Sequence, residues 1–474
     1  MSESTASNLS AWMRVREGLE DFARRSPSRF AVLIFAAMIL VFTAIFAAPF
    51  SGANNTATGL ADALFTAVST ICVAGLSTVD MATHWSPLGN AFVFIGTQIG
   101  AIGVLTLASV LGAIIAGGMG LRAKLMIASD TNPLRLHAGP VAEGQAVKLG
   151  DIGGLVVAVA VSLFAIETVV AVLMLPSILA AGYPLGESIW YSFYYAASAF
   201  TNTGFTPNVG GLEVFQGDFW FLSLIMIAVM LGSFGFPVLY ALGKHLFHPR
   251  KWSLHVKLTL TTWWLLWVGG ILAFLVVSPI GSTVFRAFDT GQRFFEAAFL
   301  STMARSGGFN IVDISQLDTA TLLLTDMLMF IGGGSASTAG GIKVTTFAIL
   351  LLAAVAEARG RSSIEVFRRR GPSDVLRLAV SVVLWGATTV ALGTLILAEL
   401  TDAPLEYILF DVISGFATVG MTTGVTAELP DPGVYVMAAI MFMGRVGTVT
   451  LAAALAASQV GQFFNRPEER PIVG

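Results

Sequence analysis

Long apolar runs alternate with short polar stretches along the whole chain, and the alternation repeats four times. The polar stretches span residues 69–80, 198–206, 302–310 and 414–422. In each, a hydroxyl residue stands six positions before a glycine, and a large apolar residue follows that glycine. Because self-similarity along a chain is the signature of repeated structural units, the sequence predicts four such units.

Each unit is predicted to read outer helix, short helix, polar loop and inner helix. The outer helices are predicted at 30–48, 155–179, 258–277 and 375–397, the short helices at 60–70, 188–199, 292–302 and 405–414, and the inner helices at 88–116, 219–242, 322–356 and 433–457. The short helices cannot cross a bilayer, which needs about 20 residues. The predicted fold class is an all-α membrane protein of four tandem helix–pore loop–helix repeats, with eight transmembrane helices and four re-entrant pore helices around one pseudo-fourfold pore.

Composition agrees with a membrane protein. The 474 residues are 55% hydrophobic and 12% charged, whereas soluble domains are about 25% charged. The predicted organisation is a cytoplasmic N-terminal segment (1–29), repeat 1 (30–116), a cytoplasmic loop (117–150), repeat 2 (151–246), repeat 3 with a broken inner helix (257–356), repeat 4 (374–461) and a cytoplasmic tail (462–474).

Charge gives the predicted orientation. Of the 26 Lys and Arg residues, 21 fall in the terminal segments and the loops between repeats, which the positive-inside rule assigns to the cytoplasm. Both termini are therefore predicted to be cytoplasmic. The chain itself is predicted to lie in the inner (plasma) membrane of the cell. Arg286, Arg293 and Arg305 are placed outside, with fourteen acidic residues that include Asp411 and Glu296. These acids either concentrate cations at an outer mouth or reflect only the lack of basic residues there.

The four polar loops suggest a chemistry. Non-helical backbone at membrane depth is tolerated where it is buried in protein or lines a water-filled cavity. Carbonyl groups converging from four loops can replace the hydration shell of an alkali cation, and the C-terminal end of each short helix adds negative potential. Glycine at each bend accepts positive φ and leaves room for the ion. The absence of an acidic residue at these glycines disfavours selectivity for divalent ions.

Four stretches carry a resemblance to a known family: 202–206, 307–310, 332–343 and 444–447. With one glycine per loop, the plan resembles the Ktr/Trk/HKT superfamily of potassium-translocating membrane subunits over residues 30–464. It is closest to the Ktr (KtrB-like) branch, since no extra helix pair precedes repeat 1. The resemblance implies preference for potassium over sodium, with ion-binding carbonyls at Val73, Ala74, Gly75, Asn202, Thr203, Gly204, Ser306, Gly307, Gly308, Thr418, Val419 and Gly420.

The resemblance also implies partners. The chain would form a homodimer and work with a cytosolic nucleotide-binding regulatory ring similar to KtrA or TrkA. K⁺ would be the transported ion, Na⁺ could modulate transport, and no covalent cofactor is implied. Nothing in the chain suggests binding of nucleic acid.

The third inner helix is predicted to break near the membrane midplane, where broken helices mark permeation sites. The break, 332–343, holds five glycines, and its predicted gate residues are Gly334, Ser335, Ser337, Thr338 and Lys343. A phosphate-binding loop is excluded because Ile342 separates Gly341 from Lys343 and no strand precedes the stretch. A flexible kink without function is the alternative.

Arg445 lies in an apolar helix, where an arginine costs at least about 2.5–3.5 kcal/mol on insertion scales. We expect it either to face the pore as a barrier, and so to join the gate residues, or to pair with Glu167, the acid that stands most clearly within a predicted span.

These features together predict a potassium-uptake translocation subunit and no enzyme, since no nucleophile–base constellation is visible. A self-sufficient cation channel without a regulatory subunit is the alternative. A membrane sensor that binds the ion without passing it is a third possibility, from another functional class.

Overall fold

The computed structural model describes residues 27–116, 152–281, 289–360, 365–367, 369–370 and 373–447, with side chains for 32–103, 158–278, 289–360, 367 and 376–447. The predicted N-terminal segment up to residue 26, the loop 117–151, the tail and the end of the last inner helix lie outside the described residues. The described part is helical apart from one pair of two-residue antiparallel strands, β1 (Glu365–Val366) and β2 (Arg369–Arg370).

The helices follow the predicted order, with ends that differ by a few residues. Repeat 1 contains α1 (Pro27–Ala47), α2 (Leu60–Cys72) and α3 (Pro87–Ala116); repeat 2 contains α4 (Ile152–Ala180), α5 (Leu185–Phe200), α6 (Phe219–Phe234) and α7 (Phe236–His245); repeat 3 contains α8 (Leu254–Gly281), α9 (Thr290–Met303), α10 (Thr319–Phe330) and α11 (Val344–Ala358); repeat 4 contains α12 (Ser373–Ala398), α13 (Leu405–Phe416) and α14 (Asp431–Phe442), which a π-helical turn (Met443–Gly447) extends.

One predicted element is wrong. The second inner helix, expected to be continuous over 219–242, is broken at Gly235, where α6 and α7 meet at 103°. Gly235 has φ 86° and ψ 153°, a conformation that is essentially restricted to glycine, and Pro237 follows in the first turn of α7. The continuous apolar pattern over 219–242 concealed this break.

The described residues contain several of the helices that the sequence predicts to cross the membrane. Within the described residues, three helical segments are long and apolar enough to cross a bilayer: 158–180, 254–278 and 376–398. The bent pair α6 and α7 makes a fourth if it is counted as one span. The inner helix of repeat 3 is interrupted after Phe330, and the inner helix of repeat 4 is described only as far as Gly447.

The repeats close into a ring. In each repeat the outer helix packs on the short helix, and the short helix packs on the inner helix. Each inner helix also contacts the short helix of the next repeat: α3 with α5, α6 with α9, α10 with α13, and α14 with α2. The last contact joins repeat 4 to repeat 1, and one apolar cluster contains buried residues from all four repeats.

Glycines make these contacts close. A Cβ on Gly100 of α3 would overlap the carbonyl oxygen of Ile71, one on Gly232 of α6 that of Phe200, and one on Gly444 that of Phe416. Each of these carbonyls belongs to the last turn or two of a short helix, four residues before its loop glycine. The inner helices therefore lie directly against the ends of the short helices, as small residues permit in membranes.

We expect Gly100→Ala, Gly232→Ala and Gly444→Ala each to destabilise the chain by about 1–3 kcal/mol, because the added methyl overpacks a backbone contact. Gly269→Ala in α8 is the matched control, since its Cβ would meet nothing within 4 Å. That variant should be neutral or slightly more stable, given the higher helix propensity of alanine. Thermal unfolding in detergent checks both; a control that loses as much stability as the three test variants would contradict the packing argument.

Candidate functional site

The four polar loops share one backbone conformation. Each loop glycine has positive φ: 81° at Gly75, 84° at Gly204, 77° at Gly308 and 98° at Gly420. The residue two positions earlier is also left-handed, with φ of 55° at Val73, 61° at Asn202, 75° at Ser306 and 48° at Thr418. Non-glycine residues rarely adopt positive φ, and a valine there is a marked outlier. The same strained pattern occurs in all four loops, so the surrounding structure must impose it.

The loops meet at their glycines. A Cβ on Gly75 would overlap the Thr203 carbonyl oxygen, and one on Gly308 would come within 2.5 Å of that of Val419. One on Gly204 would lie 3.1 Å from the Gly307 carbonyl oxygen, and one on Gly420 would lie 3.0 Å from that of Ala74. The four carbonyls just before the glycines are thus gathered together, each beside a neighbouring loop.

Hydrogen bonds from the short helices hold the loops. The amides of Ala74, Thr203 and Val419 donate to carbonyls five residues earlier, at 2.7, 2.9 and 2.9 Å. In repeat 3 the corresponding bond spans four residues, since the Gly307 amide donates to the Met303 carbonyl at 2.7 Å. Two of the repeated hydroxyls take part: Ser198 donates to the Phe205 carbonyl at 2.8 Å, and Ser414 accepts from the Gly420 amide at 3.2 Å.

Asp411 has a different place from the one predicted. It is fully buried in α13 and is not part of an outer acidic mouth. Its carboxylate accepts bonds from the hydroxyls of Thr422, Thr423 and Thr426, at 2.7, 3.0 and 2.6 Å, and from the amides of Thr423 and Thr426. Five donors on one carboxylate fix the chain just beyond Gly420. Three threonines in five residues after a loop glycine are the sequence signal that could have revealed this site.

The other predicted outer acids differ in burial. Glu296 is also buried, in α9, whereas Asp80, Glu187, Glu213 and Asp313 are exposed. The Ser315 hydroxyl donates a hydrogen bond to Asp313, which lowers the pKa of that carboxyl. Asp313 therefore stays ionised at neutral pH, so part of the predicted negative charge remains at this surface.

The break in the third inner helix forms a loop with a narrow neck. The Gly332 amide donates to Ile342 at 2.9 Å, the Ile342 amide to Phe330 at 3.2 Å, and the Val344 amide to Gly333 at 3.0 Å. This neck leaves 332–343, here called the midplane loop, as an excursion between α10 and α11. The Ser335 hydroxyl bonds that of Thr345 at the start of α11, at 2.8 Å. The Ser337 hydroxyl donates to the Gly334 carbonyl at 2.7 Å, so both bonds are local to the midplane loop and its end.

The midplane loop is bonded to the glycine loops. Thr338 donates to the Asn202 side chain at 2.6 Å and contacts the Phe200 carbonyl at 3.1 Å. Ser306 accepts from the Gly340 amide at 3.1 Å and donates to the Thr418 carbonyl at 2.9 Å. Two of the strained residues, Asn202 and Ser306, therefore connect the midplane loop with three of the four repeats. The family resemblance implied only a carbonyl role for these two residues, and no local pattern indicated their side-chain bonds.

The bent pair α6 and α7 of repeat 2 also forms hydrogen bonds with the midplane loop. The Gly334 amide donates to the Ser233 carbonyl at 2.7 Å, and the Phe236 amide donates to the Ala336 carbonyl at 3.2 Å. A Cβ on Gly235 would lie 2.7 Å from the carbonyl oxygens of Ser335 and Ala336. The break at Gly235 thus exposes backbone groups that the midplane loop satisfies.

Three basic side chains hold carbonyls of the midplane loop. Lys343 reaches back to the Ala339 carbonyl at 2.5 Å. Arg445 is buried and donates to the Thr338 carbonyl at 2.5 Å. Arg305, which the sequence analysis placed outside, is fully buried; it donates to Trp263 at 3.0 Å and contacts the Gly332 carbonyl at 3.5 Å. Its guanidinium also stacks 4.6 Å from the Trp263 ring.

The proposed pair of Arg445 with Glu167 is wrong. Glu167, buried in α4, accepts from the Gln98 amide of α3 at 2.9 and 3.0 Å. Nor is Glu167 alone as an acid within the apolar helices, since Asp326 of α10 is also buried. The hydrophobic pattern around Asp326 concealed it. Among the described residues, no group of three or more His, Cys, Asp or Glu side chains is placed to hold a metal ion.

Known proteins resemble this chain over nearly its full length. Ktr system potassium uptake protein B of Vibrio alginolyticus is 31% identical over 466 residues, 97% of this chain and 98% of that protein. Ktr system potassium uptake protein D of Bacillus subtilis is 30% identical, over 95% of this chain and 97% of its own length. The potassium/sodium uptake protein NtpJ of Enterococcus hirae is 30% identical, over 95% and 98% respectively.

A solved structure shares the fold. The crystal structure of the potassium transporter TrkH from Vibrio parahaemolyticus matches with a TM-score of 0.69 at 16% identity, covering 90% of this chain and 84% of that one. The family described as TrkH, cation transport protein, matches residues 6–464. The chain is therefore a membrane protein of the TrkH family of cation transport proteins, which are transporters and not enzymes.

Proposed function

We propose that this chain is the potassium-translocating subunit of a Ktr-type uptake system. The observation that carries the proposal is the convergence of four strained glycine loops, with the carbonyls of Ala74, Thr203, Gly307 and Val419 gathered at neighbouring glycines. Such a cluster supplies the oxygen ligands that an alkali cation needs when it loses its water. The remaining carbonyls, of Val73, Gly75, Asn202, Gly204, Ser306, Gly308, Thr418 and Gly420, would complete the filter.

The architecture we propose around this filter has eight spanning segments and four re-entrant helices about a pseudo-fourfold axis. The cyclic contact of each inner helix with the next short helix supports it. The short helices end at the glycine loops, so the negative ends of their dipoles lie beside the gathered carbonyls. Buried threonines and Asp411 then hold the outer side of the fourth loop in place.

The midplane loop is the proposed gate. Gly334, Ser335, Ser337, Thr338 and Lys343 lie within it, and Arg445 holds its Thr338 carbonyl from repeat 4. The many glycines give this segment little side-chain packing of its own. Its position is set by hydrogen bonds that can be exchanged one by one, which favours two arrangements of similar free energy.

The proposed partners are carried over from the relatives, whereas the proposed orientation comes from the charge distribution. Two of them are named as proteins of a Ktr system, which supports association with a further component. We propose a homodimer, with a cytosolic nucleotide-binding ring that acts on the midplane loop through α11. The inner (plasma) membrane location, with both termini cytoplasmic, rests on the distribution of Lys and Arg. Modulation by Na⁺ is proposed on the family resemblance, and one relative is named as a potassium/sodium uptake protein.

The filter is tested by flux of potassium, rubidium and sodium into liposomes that contain the purified chain. Wild type should favour potassium and rubidium over sodium, and it should restore growth to cells that lack potassium uptake. Gly75→Ser, Gly204→Ser, Gly308→Ser and Gly420→Ser should each lower this preference several-fold, because the side chain meets a carbonyl of a neighbouring loop and positive φ costs it about 1–2 kcal/mol.

Gly424→Ser is the matched control for the filter. Gly424 also has positive φ, 100°, but a Cβ there would meet nothing within 4 Å. It shares the backbone strain without the carbonyl contact, so selectivity should remain that of wild type. Unchanged selectivity in all four filter variants, with normal folding, would rule out the filter assignment. A wild type that binds ions but neither passes them nor restores growth would favour a sensor.

Removing the charge that holds the midplane loop should raise resting flux. Arg445→Ala takes away both a cation that repels K⁺ and the bond to the Thr338 carbonyl, and we expect flux per molecule to rise several-fold. Glu167→Ala is the control, because Glu167 bonds Gln98 and not Arg445. Flux is normalised to the amount of folded protein. Equal flux in wild type and Arg445→Ala would contradict the proposed role of this arginine.

Shortening the midplane loop should have a larger effect. Deleting 335–339 removes Thr338 and Ser337 with their bonds to Asn202 and Gly334, while the neck at Gly332 and Ile342 lies outside the deletion. We expect a folded chain that conducts faster and responds less to the regulatory subunit. Normal flux under full regulation in this variant would place the gate elsewhere, and flux that ignores the subunit in wild type would favour a self-sufficient channel.

A further inference from the structure

A cavity of about 520 Å³ lies between α4 and the bent pair α6 and α7. Gly235, where the two helices meet at 103°, is part of its wall, so the bend that directs α7 away from α6 also opens this space. The volume is within the range of about 300–1,000 Å³ that is typical of sites for small ligands.

The cavity runs from a buried end to an exposed end. Thr338 of the midplane loop and Phe200 form the buried end, with exposed fractions of 1% and 4%. Tyr240 and Lys244 of α7 are exposed and line the other end. The Lys244 ammonium lies 5.9 Å from the centre of the Tyr240 ring. A ligand in the cavity would therefore have one end at the midplane loop and the other at a cation.

The wall between these ends is apolar. Leu163 and Ile166 of α4 and Leu239 and Phe236 of α7 line it, and only a few of its residues carry a polar side chain. A pathway for cations would present oxygen ligands, and a lysine at its mouth would repel the ion. The combination of a long apolar wall and a terminal cation instead suits an amphiphile with a negative head.

The surroundings of Lys244 resemble a membrane surface site. The last turn of α7 carries Lys244 and His245, and Arg250 and Lys251 follow in a short 3₁₀ helix. Phe247 between them is 87% exposed. Short helices with basic ends and exposed aromatic side chains lie in the membrane interface. Basic pockets between membrane helices on the cytoplasmic side bind the head groups of anionic lipids.

We propose that this cavity binds one anionic phospholipid from the surrounding membrane. The phosphate contacts Lys244, and an acyl chain lies between Leu163 and Leu239 with its end at Thr338. Thr338 donates to Asn202, and Arg445 holds its carbonyl. An occupied cavity therefore restricts the movement of the midplane loop, a consequence that rests on the proposed function, whereas the binding does not.

Two variants separate the head group from the acyl chain. Lys244→Ala removes the cation and leaves the apolar space. Gly243→Leu fills the space and leaves the cation; a Cβ on Gly243 meets nothing within 4 Å, so the substitution should not disturb α7. Lys251→Ala is the control for charge, since Lys251 lies in the same basic segment outside the cavity. Gly186→Leu in α5 is the control for size, because its Cβ also meets nothing within 4 Å.

Native mass spectrometry of the full chain measures the binding. The protein is released from nanodiscs of phosphatidylcholine mixed with a minority of phosphatidylglycerol, and retained lipids are counted. Wild type and both controls should retain one phosphatidylglycerol per chain. Retention should fall about fivefold in Lys244→Ala, the effect expected for one basic residue, and disappear in Gly243→Leu. Equal retention in all variants, or wild type retaining phosphatidylcholine as readily, would overturn the proposed site.

Rubidium flux then tests the link to the midplane loop. Wild-type flux should differ at least about twofold between vesicles with and without phosphatidylglycerol, whereas flux through Gly243→Leu should be the same in both. A variant that has lost the lipid and still shows the wild-type difference would contradict the link. If no variant conducts in any vesicle, the proposed function fails while the mass-spectrometric result on lipid binding still stands.

Discussion

The crowding of four peptide carbonyls is the constraint on which the rest of this structure depends. Oxygens gathered from Ala74, Thr203, Gly307 and Val419 repel one another, and their residues lie in loops that carry strained, left-handed φ angles. Such an arrangement persists only when its surroundings over-determine it. Short helices, inner-helix glycines and Asp411 supply that restraint through hydrogen bonds and close backbone contact. Because each inner helix packs on the next short helix, the restraint is distributed around the whole ring.

The midplane loop and the glycine loops form one hydrogen-bonded system. Residues two positions before the glycines differ among the repeats, as Val73, Asn202, Ser306 and Thr418. Asn202 and Ser306 are bonded to the midplane loop, and a Cβ on Gly340 would overlap the Thr418 hydroxyl. The asymmetry of the sequence at this position thus follows from a loop that lies against three of the four repeats. Any movement of that loop must break bonds to residues that hold the glycine loops.

Four buried ionisable side chains in the described part of the chain bond to neutral groups. The structure gives Arg305 and Arg445 peptide carbonyls, Asp411 threonine hydroxyls and amides, and Glu167 the amide of Gln98. A carbonyl dipole can hold an arginine in an apolar setting and can be exchanged for another carbonyl without leaving an opposite charge unpaired. Such partners can be exchanged at lower cost than an ion pair, since breaking a buried ion pair strands both charges.

The sequence by itself determined the fourfold repeat, the short helices and the loop glycines, because apolar run length and glycine placement are local signals. The dense glycines of 332–343 also predicted the break in the third inner helix. Tertiary structure decided the features that depend on contacts between residues far apart in the sequence. The break at Gly235 depends on carbonyls of Ser335 and Ala336 from a distant segment. The charge distribution along the chain assigned Arg305 and Asp411 to the outer side, yet both are buried. Arg305 bonds Trp263 of α8, and Asp411 bonds threonines beyond its own loop glycine. Arg445 likewise required the fold to show that its contact is Thr338 and not Glu167.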